Sequence, residues 1–170
     1  TEDAALNLIN IVISAPDSTA VTATLTLSNP AAGSLNTGTS GAVTSTYNAT
    51  TGVWTASGPT SNVNTLLGGL TFTPVKDFNG SFTIDSRISD GVGVDATGSK
   101  ALTGIAVNDA PILDATKSPA LDDVNEDSGA PSGAVGTLVS SLVDFAIPSG
   151  EVYNVTEVDA GAILGLAMTE

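Results

Sequence analysis

The pentapeptide Val107-Asn108-Asp109-Ala110-Pro111 divides this 170-residue chain. Pro111 has no amide hydrogen to give a sheet, and its ring pushes Ala110 toward extended or turn backbone. Asn and Asp just before it are poor strand formers and good turn formers. The stretch therefore reads as a stiff hinge whose Asn108 and Asp109 side chains offer oxygen atoms. Ahead of it runs a long tract of Thr, Ser and Gly alternating with apolar residues, and behind it the acidic density rises. The expected division is a first module over 1–109 and part of a second over 110–170.

Period-two patterning dominates the first module. Val21, Ala23, Leu25 and Leu27 alternate with Thr22, Thr24 and Thr26, which predicts a half-buried strand. Phe82, Ile84 and Ile88 alternate with Thr83, Asp85 and Arg87, and Asp85 and Arg87 are expected to share an outer face. The apolar run 6–13 reads as a short buried strand. Residues 43–47 and 53–56 read as a hairpin around Asn48-Ala49-Thr50-Thr51-Gly52, with Trp54 packed in or beside the core. Residues 62–67 suggest one helical turn, with Ser61 as its N-cap and Gly68-Gly69 ending it. Strand-like 70–73 follows, then a type I′ turn at Asn79-Gly80. A last strand over 101–107 leads to the hinge. Short strands at even spacing with Gly/Pro turns indicate an all-β antiparallel sandwich.

Beyond the hinge, 112–124 offers two short extended pieces. Asn125-Glu126-Asp127-Ser128-Gly129-Ala130-Pro131 then repeats the opening Thr1-Glu2-Asp3-Ala4-Ala5 pattern, which signals an internal repeat. Residues 135–143 suit a short helix. Residues 153–168 read as strand, acidic turn (Glu157-Val158-Asp159-Ala160-Gly161) and strand. In this frame the first module lacks the strand that 112–124 supplies to the second, and the second lacks its C-terminal half. Unpaired edges of that kind invite pairing with another chain. Opening at Thr1, the sequence is expected to be a piece of a longer polypeptide.

Charge narrows the partners. Eighteen acids face only Lys76, Arg87, Lys100 and Lys117, for a net charge of −14. Such a chain has no positive face to displace counterions from phosphates or to dock on anionic lipid, so nucleic-acid binding and membrane-surface docking are not expected. No stretch approaches the roughly 20 apolar residues of a membrane span, so insertion is not expected either. Mean hydropathy of +0.27 and 41% hydrophobic residues support a buried core rather than disorder. Without cysteine or histidine, the available ligands are carboxylates, amides and carbonyls, which suit calcium or magnesium rather than zinc or copper.

Glu-Asp before the first apolar run, Pro16-Asp17-Ser18 after it, Asn79-Gly80, Ser89-Asp90-Gly91 and the hinge occur together. In combination they resemble the cadherin-like tandem repeats of giant bacterial surface adhesins, many of which carry repeats-in-toxin C-termini. The likeness spans nearly the whole chain, and the second module resembles a sibling repeat type. It implies an Ig/cadherin-like Greek-key β-sandwich followed by a partial second β-rich module. It also implies Ca²⁺ at the module junction, held by Glu2, Asp3, Asp77, Asn108, Asp109, Glu157 and Asp159. A second, weaker site would use Asp17 and Asp90 at the far end, while Glu126 and Asp127 would face a following module. The chain departs from the family where Asp-Pro-Asp reads Ala15-Pro16-Asp17, which weakens the upper site. It departs again where the acidic linker shortens to Asn108-Asp109 and where the two-acid lower motif is reduced to Asp77, so that the resemblance implies one ion rather than three.

The resemblance implies a non-catalytic, extracellular calcium-binding extender on the bacterial cell surface. Its partners would be neighbouring repeats of the same polypeptide, with host-cell or biofilm ligands bound by other domains. The alternative is a carbohydrate- or protein-binding module using Trp54, Tyr47 and Tyr153, which an exposed Trp54 would favour. An enzyme is the third reading, but the acids sit in turns at opposite ends of the expected sandwich and no reaction follows from them.

Overall fold

The computed structural model describes residues 1–8, 11–120, 123, 129–130, 139–145 and 152–165. The fold is all-β with one short helix, and the chain divides into two compact units, Thr1–Val107 and Asn108–Glu170.

In the first unit the elements in chain order are β1 (Leu6–Asn7), β2 (Ala20–Leu27), β3 (Gly33–Leu35), β4 (Thr39–Ser40) and β5 (Val43–Thr44). They continue with β6 (Thr46–Asn48), β7 (Val53–Pro59), α1 (Thr60–Gly68), β8 (Thr71–Pro74), β9 (Ser81–Ser89) and β10 (Ala96–Thr103). A five-stranded antiparallel sheet has the order β10-β9-β2-β7-β6, and a three-stranded one the order β1-β8-β3. Strand β2 is central in the larger sheet because its period-two pattern is complete: Val21, Ala23, Leu25 and Leu27 are buried while the threonines between them are half-buried.

Between the sheets lie those four residues with Trp54, Ala56, Phe82, Ile84, Leu35 and Phe72, and α1 adds Val63 and Leu67. Each large aliphatic or aromatic side chain buried this way contributes about 1.5–3 kcal/mol. The surface ion pairs Lys76–Asp77 and Arg87–Asp95 are each worth about 0–1 kcal/mol. Core burial decides the stability. Gly33 opens β3 because a Cβ there would lie 2.3 Å from the Thr73 carbonyl oxygen and against the Phe72 ring.

The structure departs from the sequence pattern at several elements. The run 6–13 is not one buried strand: β1 is two exposed residues, and Ile13 takes both its backbone partners from the Asn64 side chain. Residues 9 and 10 lie outside the described residues. The helix spans Thr60–Gly68 and follows β7 without a loop. Its cap position is Pro59, with no side-chain cap bond, and Ser61 lies inside the helix. Positive φ falls at Asp77 (60°) in the turn closed by the Phe78 N–H on the Val75 carbonyl, and neither Asn79 nor Gly80 adopts it. No type I′ hairpin forms there, because β8 and β9 belong to different sheets and the segment crosses between them. The last strand runs Ala96–Thr103 rather than 101–107. Asp85 and Arg87 do not pair with each other: Asp85 accepts from Ser99 and Arg87 pairs with Asp95.

In the second unit β11 (Ile112–Leu113) pairs antiparallel with β12 (Val155–Thr156). Within the 135–143 stretch expected as a short helix, the described residues form a 3₁₀ turn at Val139–Ser141, and 135–138 lie outside the described residues. Residues 162–165 form no strand, while 166–168 lie outside the described residues. The buried Asn154 knits the unit together, accepting from Asp144 N at 2.9 Å and donating to Leu142 O at 2.8 Å.

Candidate metal centre

Glu2 is the most deeply buried of the expected ligands. Glu2 is only 2% exposed. Its backbone N–H donates to the Ile105 carbonyl at 3.1 Å, which seats it beside the segment leaving β10. Its Oε1 accepts from Val107 N at 2.6 Å. Its Oε2 is buried and has no hydrogen-bond partner among the described residues. A buried carboxylate oxygen without a partner is costly and calls for a cation or donor. Asp3 follows directly and is exposed.

Asp77 lies on the turn before β9, and its carboxylate forms a 2.7 Å ion pair with the Lys76 ammonium. That lysine already supplies a positive charge at the position where the cadherin resemblance places a metal ligand.

Within the second unit three of the expected ligands come together. Asp159 Oδ2 accepts from Asp109 N at 2.7 Å, which ties the acidic turn after β12 to the hinge. Glu157 Oε1 accepts from Val158 N at 2.8 Å and from Asp159 N at 3.1 Å, closing the turn on itself. Asn108 Nδ2 donates to Asp109 O at 2.9 Å.

Asp17 and Asp90 line one shallow depression of the first unit, with Pro16, Ile88, Val92 and Val94. It lies at the far end of β9 from Glu2, since Ile88 and Ala96 pair there whereas Gly104 and Gly80 pair at the Glu2 end. Asp90 Oδ1 caps the loop by accepting from Val92 N at 2.9 Å. Glu126 and Asp127 lie outside the described residues.

Trp54 is fully buried and donates from Nε1 to the Asn36 carbonyl at 3.0 Å, so it offers no stacking surface. Tyr47 is half-buried, its hydroxyl donates to Gly33 O, and burial pushes its phenol pKa up. The sequence pattern gave no sign of the Glu2–Val107 contact, because 105 positions separate the two residues. A single buried acid beside an edge strand carries no periodic signature.

No family model matches this chain, and neither curated proteins nor solved structures give a match.

Proposed function

We propose that the chain is a non-catalytic, calcium-dependent extender segment of a bacterial cell-surface adhesin, in which Ca²⁺ stiffens the joint between successive modules. The observation that carries this reading is the buried Glu2 carboxylate with its partnerless Oε2. Its other oxygen is fixed on Val107 N, and two residues of chain span at most about 7 Å. Covalent reach alone thus keeps Asp109 near the residue Glu2 grips.

Under this proposal the ligands would be the oxygens of Glu2, Asp3, Asn108, Asp109, Glu157 and Asp159, a donor type that calcium takes at 6–8 positions. Asp77 contributes charge only where Lys76 releases it. With a net charge of −14, a divalent cation would offset repulsion among these acids. Secretion to the cell surface and neighbouring repeats as partners belong to the same proposal. The fully buried Trp54 counts against the carbohydrate-binding alternative.

The test is thermal melting and small-angle scattering of the 170-residue chain in chelator and in millimolar Ca²⁺. A higher Tm together with a narrower distribution of distances within the molecule in calcium is expected. An unchanged Tm and an unchanged scattering profile would sink the reading.

A further inference from the structure

One side of the first unit's sandwich is open. Strand β10 pairs with β9 along all eight of its residues, and β1 pairs with β8. The far edge of each has no strand beside it among the described residues. Between these edges runs a groove of about 520 Å³ lined by Leu6, Leu8, Ile11, Ile84, Lys100 and Leu102. It shares Leu6 and Leu102 with a second cavity of about 170 Å³ under Phe72, Phe78 and Phe82. Ile84 and Phe82 belong to the core, so the groove reaches between the sheets. An apolar slot flanked by two free strand edges is the space that one more strand fills.

Lys100 makes the slot selective. It stands opposite Ile84, and Leu102 stands opposite Phe82, so both lie in the core-facing row of β10. No acid occurs in β10, and Lys100 forms no ion pair among the described residues. A cation in that row calls for an acid from whatever enters.

The second unit carries a strand with the matching pattern. In β11 and its continuation, Ile112 and Asp114 project to one side. Ile112 is 69% exposed although β11 pairs with β12, and Asp114 is exposed as well. Laid antiparallel on β10 with Ile112 opposite Leu102, the strand sets Asp114 opposite Lys100. Pro111 then falls where the added strand ends, at Thr103, and its missing N–H costs little.

We propose that the groove of one molecule accepts the Ile112–Asp114 strand of a second copy, an apolar–acidic strand pairing with β10 in this register. Donor and acceptor surfaces differ, so the contact is heterologous and builds open-ended series rather than a closed dimer. Opposed apolar and opposite-charge pairs across antiparallel strands each add stability.

The test is sedimentation velocity on the full chain in chelator, from low to high micromolar concentration, so that calcium at the joint plays no part. The expected result is an average mass that climbs past the dimer as concentration rises. Lys100→Glu, an exposed change that spares the core, should weaken association about tenfold, equivalent to about 1.4 kcal/mol. Combining Lys100→Asp with Asp114→Lys should restore it. A chain that stays monomeric throughout overturns the proposal. So does association that ignores Lys100→Glu, or that the charge swap fails to rescue.

Discussion

Glu2 shows what one residue does when a carboxylate is taken out of water. Its Oε1 has the Val107 amide, and its Oε2 has no partner among the described residues. Glu2→Gln keeps an oxygen for Val107 N and removes the charge. In chelator the variant should melt no lower than the parent, while its calcium affinity, read by isothermal titration, should fall at least about tenfold. A second carboxylate tests the second unit. Hydrogen bonds from Thr116 Oγ1 and then Thr116 N, with the Lys117 charge a smaller aid, hold Asp114 below its ordinary pKa of 3.8. A group depressed in the folded state stabilises above its unfolded value, and the contribution is lost as pH falls through the folded one. Thr116→Val removes the larger of the two bonds, so the Asp114 midpoint followed by carboxyl-carbon NMR should move upward while staying below the unfolded value.

Among elements, strands with complete alternation were legible and their partners were not. The burial of β2 and β9 follows from the 21–27 and 82–88 patterns, since a period of two has only one way to face a core. The start of α1 was not legible, because Thr60 follows directly on β7 and no polar cap announces it. Asn79-Gly80 misled for a related reason. The dipeptide suits a hairpin, but Phe78 and Phe82 pack edge to face with centroids 5.9 Å apart, and the chain crosses to the other sheet instead. In the fold several asparagines replace backbone partners. Asn64 binds both the N–H and the carbonyl of Ile13, and Asn36 binds Thr71 N and Gly69 O. Asn64→Ala strands both polar groups of Ile13 and should cost about 1–3 kcal/mol in chemical denaturation. Faster exchange of the Ile13 amide would locate the damage. The acids at the candidate site were legible only as residue types in turns; which of them is buried depends on contacts distant in sequence.

For the whole molecule, charge and connectivity matter more than any single contact. Eighteen acids against four bases repel one another, and raising salt from about 10 mM to about 150 mM cuts the screening length from about 30 Å to about 8 Å. Tm should therefore rise with sodium chloride alone. Calcium should act at concentrations too low to change ionic strength, and equimolar magnesium, which demands stricter octahedral geometry, should not replace it. A differential scanning calorimetry series in the three salts separates screening from specific binding. The attachment of Glu2 to Ile105 and Val107 also has a mechanical consequence. It places both ends of the first unit at one pole of its sheets, so tension between Thr1 and Val107 would peel these bonds apart one after another. A donated Ile112–Asp114 strand would instead lie along Lys100–Leu102, and load along it would have to shear its pairs together rather than one after another. Whether this unit yields or holds under load then depends on the occupant of one groove.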